Sequence, residues 1–307
     1  MKKQVLVVGS GGFIGSAISG ALQNGQNTIY EASSSFEKSS VLLPTQIPME
    51  KFLVGNLDDI KIDILIHCAG PRRTSGNTHE TLMKLIIDRA SNLGIKKIIY
   101  MSSVAAHFTL SYKDAGKIPI DKNLDYYGHD KLASENMLID ACENSTLNYL
   151  ILRLPLVYGQ NAKGKFNLLY NFAKFGLVLP DKPFNKALKS FLYIKNLSNL
   201  VKIIINTETC WNVSINVTDD DDHTAAQFSR KLAFVFSEKQ RIREVSIIVI
   251  KLCLFIAGKS KVLEDLNRPA RVDISKAKSL FKWRPKYNVD EAIMDIKINS
   301  QACSYKT

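Results

Sequence analysis

The sequence predicts an α/β protein in which a doubly wound parallel sheet carries a smaller mixed α/β domain. Three observations predict it. Short apolar runs alternate with helical segments through the first half of the chain. The first of these runs ends in a glycine string that opens a helix, and the regular alternation stops near residue 160. At 307 residues the chain is long for one compact core and short for two independent ones. We therefore expect a large domain over 1–160, with later segments near 189–205 returning to it, and a smaller, interleaved domain over 161–307.

Gln4–Val8 is a continuous apolar run, the pattern of a parallel strand buried on both faces, and Phe13–Gln23 follows as a helix. Further strands are expected at Thr28–Ala32, Phe52–Val54, Ile62–His67, Lys97–Met101 and Tyr149–Leu154, with helices at Thr78–Leu93 and Gly128–Cys142. Beyond them, Lys163–Phe175 and Leu197–Ile205 read as helices, and Ser190–Ile194 and Val213–Val217 as strands. Residues 245–257 form the most apolar stretch, but Lys251 interrupts it and it falls short of the ~20 residues of a bilayer span, so a buried or interfacial helix is expected. The four acids Asp219–Asp222 lack the alternate spacing of a calcium loop and read as a solvated turn.

Composition narrows the function. With 46% apolar and 23% charged residues the chain is an ordinary globular protein, not a disordered or collagen-like one. Its formal charge of +12 would suit nucleic acid, an anionic membrane or an anionic small molecule, but the lysines are dispersed and no nucleic-acid module is expected. Cys68, Cys142, Cys210, Cys253 and Cys303 are odd in number and widely spaced, and read as free thiols. The opening MKKQVLVVGS has too short an apolar run for a signal peptide, so the cytoplasm is the expected location. His67 reads as a core residue on a buried strand, and the other histidines show no metal spacing, so no metal is expected.

The chemistry is concentrated in three places. Gly9-Ser10-Gly11-Gly12-Phe13-Ile14-Gly15 links the first strand to the first helix, where glycines permit the turn and bring backbone N–H groups and a helix N-terminus against a pyrophosphate. At the end of the second strand Ala32 or Ser33 stands where a chain binding NAD usually carries an acid, so a 2′-phosphate would not be repelled and serine hydroxyls or Lys38 could receive it, which favours NADP over NAD. Ser103 ends a central strand, where ligands of such sheets bind, and Tyr127 and Lys131 are one helical turn apart. A phenol near pKa 10 is a poor base at neutral pH, and a nearby ammonium would lower it enough to exchange a proton with a sugar hydroxyl or carbonyl.

Taken together, Gly9–Gly15, His67-Cys68-Ala69-Gly70, Met101-Ser102-Ser103, Tyr127-x-x-x-Lys131 and Leu152-Arg153-Leu154-Pro155-Leu156-Val157-Tyr158-Gly159 resemble the extended short-chain dehydrogenase/reductases, also called the NAD-dependent epimerase/dehydratase family. Lys189–Ile194, Val272–Ala277 and Phe281–Pro285 resemble its substrate-domain signatures, so the resemblance covers essentially the whole chain. It implies a Rossmann-type sheet and a catalytic set of Ser103, Tyr127 and Lys131. It also implies that Gly9, Gly12 and Gly15 line the pyrophosphate, with Phe13 and Ile14 in the same string, that Asn56 and Leu57 flank the adenine, and that Cys68, Ala69 and Gly70 run past the ribose. Ser33 and Pro155, together with Tyr127 and Lys131, complete the implied cofactor set. The substrate implied is a nucleotide-diphosphate sugar, a UDP-sugar by the narrower likeness, with Ser103 at the reacting oxygen and Lys189, backed by Arg268 and Arg271, at the phosphates.

Within that family the second-half motifs are most similar to bacterial reductases and epimerases of UDP-activated, N-acetylated sugars. The leading expectation is reduction of the 4-keto group of a UDP-linked 6-deoxy-N-acetylhexosamine with Tyr127 as proton donor. The alternatives are a UDP-hexose 4-epimerase, acting on UDP-glucose or UDP-N-acetylglucosamine with tightly held NAD, and a non-catalytic NADP-binding regulator. Three positions depart from the pattern: Lys189 for arginine, Lys195 for aspartate and His107 for tyrosine. A homodimer through Thr78–Leu93 and Gly128–Cys142 is a further implication.

Overall fold

The computed structural model describes residues 2–23, 25–38, 42–57, 59–70, 78–108, 122–143, 145–162, 164–208, 210–237, 242–256, 258 and 261–304. The chain forms two compact units. One comprises Met1–Leu154, Leu197–Val217 and Ser275–Trp283, and the other Pro155–Asn196, Thr218–Ile274 and Arg284–Thr307.

The first unit is built on strands β1 (Gln4–Val8), β2 (Thr28–Ser33), β3 (Gln46–Pro48), β4 (Ile64–His67), β5 (Lys97–Ser103) and β6 (Asn148–Leu154). Its helices include α1 (Phe13–Gln23), α2 (Met49–Val54), α3 (His79–Asn92) and α4 (Lys122–Glu143). A seventh strand, Val213–Asn216, pairs with β6, and all seven run parallel in the order Val213–Asn216, β6, β5, β4, β1, β2, β3. Leu6, Val8, Leu65, Ile98, Tyr100 and Ile151 point to one face, where they meet Phe52 of α2, Met83, Ile86 and Ala90 of α3 and Leu138 of α4. The alternate residues Val5, Val7, Ile64, Ile66, Ile99, Leu150 and Leu152 are just as buried, which is why these strands read as unbroken apolar runs. The strand order reverses between β1 and β4, so the loops leaving their carboxyl ends, at Gly9 and at Cys68, splay apart and open a crevice.

The strand expected at Phe52–Val54 is instead the last turn of α2, and the third strand lies just before it at Gln46–Pro48. Three residues ending in proline give little strand signal, and Pro48 can end an edge strand because it has no ladder N–H to offer. Of Met49–Val54 only Phe52 is buried, so this is a helix touching the core at one point.

In the second unit Leu156–Tyr158 pairs in parallel with Phe191–Tyr193. Around them Tyr158, Phe166, Phe191, Tyr193 and Phe228 cluster, with Phe191 and Phe228 stacked at 4.2 Å. Asp219 lies inside this unit and corrects the solvated turn expected over Asp219–Asp222. Its carboxylate accepts from the Tyr158 hydroxyl at 2.8 Å, the Tyr193 N–H at 2.8 Å and the Asn196 amide at 2.7 Å. The Asn196 carbonyl oxygen in turn accepts from the N–H groups of Lys286 and Tyr287. Asp221 accepts from Val289 N–H at 3.0 Å, and Asp222 accepts from the Ser190 hydroxyl at 2.7 Å and pairs with Arg271. Three of the four acids thus tie distant backbone together.

Burial pushes the Asp219 carboxyl up to about 7, against the pull of Asn196, the Tyr193 N–H and the Tyr158 hydroxyl. The folded-state value therefore lies above the ~4 of an unfolded aspartate, so the folded chain holds a proton that the unfolded chain releases. Stability from this group is complete below about pH 4 and is lost as pH rises toward 7. Asp219→Asn, which cannot ionise, is expected to flatten the fall in melting temperature between about pH 4 and pH 7. Thermal denaturation by circular dichroism checks this, and equal slopes for both proteins would show that Asp219 ionises at no cost.

Candidate active site

β1 delivers the chain into the glycine loop at the strand-order reversal. Gly9 has φ +89°, a left-handed conformation, and a Cβ there would lie 2.6 Å from the Ala69 nitrogen. Its N–H donates to the Ala32 carbonyl at 2.8 Å, as does that of Ser10 at 3.2 Å, which fixes the loop to the end of β2. Gly15 serves packing: it is buried in α1, and a side chain there would run into the Gly9 carbonyl. The loop therefore needs glycine at Gly9 and Gly15 for two different steric reasons, and both hold the N-terminus of α1 close behind β1.

A cleft of about 730 Å³ opens on this loop. Gly9, Gly11 and Gly12 form one wall and Cys68, Ala69 and Gly70 another. Ser33, Ser34, Ser35 and Glu37 close the β2 side, and Met49, Leu53, Val54, Leu82 and Leu85 supply an apolar patch. The Ser33 and Ser35 hydroxyls bond each other at 2.7 Å. The side chain of Lys38 lies outside the described residues. Phe13 and Ile14 are half-buried in the first turn of α1, behind the lining glycines. Asn56 is exposed and Leu57 is buried in the core, and neither is among the described residues of the cleft wall; α2 takes that place. Glu37 and the apolar residues of α2 carry no sequence signal, because a three-residue strand and a short helix bring them there.

At the carboxyl end of β5 the Ser103 hydroxyl accepts from the Ala105 N–H at 3.2 Å, and it stands near enough to Tyr127 of α4 to act on the phenol. Burial raises the Tyr127 phenol above its ordinary value, the nearby Ser103 hydroxyl lowers it, and the Asp130 carboxylate raises it. Half of the tyrosine surface is open to solvent, so that desolvation is partial. Lys131, one turn on, is buried: its ammonium donates to the Tyr100 hydroxyl at 3.1 Å and the Met101 carbonyl at 3.2 Å and lies over the Tyr100 ring. Burial draws Lys131 down to about 8, while Asp130, Glu135 and Cys68 favour its charged form. His67, on the neighbouring strand, stacks on Tyr100 at 5.2 Å, and burial followed by repulsion from Lys131 lowers it to about 3, so it is neutral. His79 stands edge-on to Tyr127, and its N–H donates to Asp130 at 3.0 Å.

Sequence reasoning missed the residue that fixes this arrangement. Glu135 is fully buried on α4; it accepts from Ser102 on β5, and both its oxygens accept from Arg153 Nε on β6, at 3.0 and 3.1 Å. Four residues after Lys131, Glu135 resembles half of an ordinary surface pair, so spacing could not reveal it.

The other expected residues lie in the second unit. Pro155 follows β6 directly and is half-buried. The Lys189 ammonium donates to the carbonyls of Asp265, at 2.5 Å, and Arg268, and burial pulls it down to about 8. Lys189 and Arg268 are thus brought together, whereas Arg271 is turned to Asp222.

Glu135→Ala leaves the Arg153 guanidinium buried without its carboxylate and is expected to cost about 3–5 kcal/mol. It should also free Ser102 and loosen α4, lowering turnover in whatever fraction stays folded. Urea denaturation measures the first effect, and a loss below about 1 kcal/mol would place the pair at the level of a surface bridge.

The model of the NAD dependent epimerase/dehydratase family matches residues 5–212. Among curated proteins, UDP-glucose 4-epimerase of Vibrio cholerae is 24% identical over 314 residues, covering 95% of this chain and 93% of that one. Among solved structures, UDP-N-acetylglucosamine 4-epimerase of Bacillus cereus is 20% identical with a TM-score of 0.70, covering 98% of this chain and 97% of that one. UDP-glucuronic acid 4-epimerase of the same organism has the same TM-score at 16% identity, covering 98% and 99%. These structures share the fold. With the family match spanning the glycine loop, the Ser103–Tyr127 pair and Lys131, the chain belongs to the NAD dependent epimerase/dehydratase family and is an enzyme.

Proposed function

We propose that this enzyme is a UDP-sugar 4-epimerase that keeps one NAD bound through its cycle. The observation that carries the reading is the nearness of the Ser103 hydroxyl to the Tyr127 phenol at the carboxyl end of the sheet, the end at which the glycine-walled cleft also opens. It sets a proton-transfer group beside a place for a dinucleotide. The names of the similar proteins, 4-epimerases of UDP-glucose, UDP-N-acetylglucosamine and UDP-glucuronic acid, support the substrate class. The preference for NADP read from the sequence is not kept. Glu37 lines the cleft beside Ser33 and Ser35, and a carboxylate there opposes a 2′-phosphate and suits ribose hydroxyls.

The residues fit the cofactor. The loop permits close approach only because Gly9 and Gly11 lack side chains, and the helix N-terminus behind it favours an anion. NAD, when bound, supplies the hydride acceptor and donor. Tyr127 takes the proton of the sugar 4-hydroxyl as the C4 hydrogen leaves as hydride, and returns it when hydride comes back to the other face of the 4-keto sugar. Ser103 holds the C4 oxygen and, by lowering the Tyr127 phenol, favours the phenolate. The Lys131 charge, one helical turn from Tyr127 and fixed by Tyr100 and Met101, favours that phenolate. Lys189 and Arg268 offer positive charge to a diphosphate. The lysine supplies a point charge where an arginine would supply a fork, and it must exchange its carbonyl partners for phosphate oxygens.

Tyr127→Phe is expected to lower turnover by about 10²–10⁴-fold while leaving the melting temperature and NAD content unchanged. Lys131→Met should lower turnover and shift the alkaline-rising limb of the pH profile upward, because the phenolate loses a nearby positive charge; an unmoved limb removes Lys131 from that role. Denaturing freshly purified protein and identifying the released nucleotide by mass spectrometry tests the reading as a whole. Retained NAD supports the epimerase. A site filled only by added NADH or NADPH points instead to the 4-keto reduction expected from the sequence, whose cofactor must exchange every cycle. Full turnover in Tyr127→Phe would remove Tyr127 from the proton-transfer role.

Glu37→Arg is expected to invert the preference, weakening NAD and allowing NADP, by roughly tenfold for each 1.4 kcal/mol of altered binding. Titration of apoprotein with each dinucleotide reads this directly, and an unchanged ratio would show that Glu37 does not face the ribose.

A further inference from the structure

Ile247–Ile256 is an α-helix whose composition is nearly all apolar, yet most of it faces out. Ile250 and Leu254 are buried, at 2% and 3% exposure, and anchor it to the second unit. Ile248 at 73%, Leu252 at 57%, Phe255 at 73% and Ile256 at 76% form the opposite face, with Val249 beside them. Residues 248, 252 and 255 are spaced four and three apart, so they make one stripe. An exposed stripe of this kind marks a binding surface, and the chemistry around it identifies the occupant.

Lys251 lies exposed within the apolar stretch, and Lys259 and Lys261 follow it in the sequence. No acid occurs from Val245 to Leu263, and the whole chain carries +12. Lysine is depleted from the cores of protein–protein interfaces, whereas at a lipid surface its stem lies among acyl chains and its ammonium reaches the headgroups. The helix is about 15 Å long, half of a hydrocarbon core, and no described helix is long and apolar enough to cross a membrane. We infer that Ile247–Ile256 lies in the plane of an anionic bilayer surface, with Ile248, Leu252, Phe255 and Ile256 in the acyl boundary and Lys251 on the phosphates. The proposal is independent of the catalytic reading, since it uses no residue of the cleft.

The test is co-sedimentation of the full-length protein with phosphatidylcholine vesicles, with and without about 30% phosphatidylglycerol. Wild type should pellet with the anionic vesicles and be released by high salt. Leu252→Glu/Phe255→Glu should bind at least about tenfold more weakly, with melting temperature unchanged because both side chains are already in water. Should that double variant misfold, Lys251→Glu must by itself weaken binding. Wild type remaining in the supernatant, or double variant and wild type pelleting alike, overturns the proposal. So does a dimer in analytical ultracentrifugation that the double variant dissociates without any vesicle binding, which would assign the stripe to a second copy of the chain.

Discussion

The buried carboxylate of Glu135 is the constraint on which the first unit's chemistry depends. It stands on α4, one turn beyond Lys131 and two beyond Tyr127, and it reaches Ser102 on β5 and Arg153 on β6. A helix packed on a sheet by apolar contacts alone can slide by a fraction of a turn at little cost. Charge-assisted hydrogen bonds to two strands remove that freedom. Ser102 precedes Ser103, so the same carboxylate sets the height of the helix and the end of the strand that carry the Tyr127 and Ser103 hydroxyls. The buried Lys131, held by a carbonyl and a phenol of β5, is a second point of the same fixation.

This explains how a polar layer persists inside an apolar sandwich. Burying Lys131, Glu135 and His67 would each be unfavourable alone. Lys131 and Glu135 are matched by hydrogen-bond partners, and His67 avoids the cost by remaining neutral. The second unit follows the same logic, where Asp219 collects donors from Tyr158, Tyr193 and Asn196. In both units a single buried carboxylate draws together segments far apart in the chain.

What could be read from the sequence follows from the range of each interaction. The strands β1, β4, β5 and β6 were legible because interior parallel strands are apolar on both faces, and the Gly9–Gly15 loop because its steric demands are local. The placement of Ser103 at a strand end and of Tyr127 and Lys131 one turn apart on a helix was legible through spacing. The turn from β3 into α2 was not, since Phe52, Leu53 and Val54 form an apolar run too short to distinguish strand from helix. Nor were Glu135 and Asp219: a carboxylate's burial is set by donors up to tens of residues distant, and Asp219 beside three further acids looks like a surface turn. Glu37 lay beyond reach because its place depends on how the 3-10 turn Ser34–Lys38 leaves β2.

The return of the backbone to the first unit at Leu197–Val217 and Ser275–Trp283 has a consequence for biosynthesis. When β6 leaves the ribosome it forms a bare edge, its outer row of amides and carbonyls unpaired until Val213–Asn216 arrives, and the last helical segment of the unit comes some sixty residues later still. The nascent chain must therefore carry an open strand edge while Pro155–Asn196, the first segment of the second unit, is being synthesised. Because the backbone passes between the units five times, neither can be released whole by one cut, and the two mature and turn over as a single object.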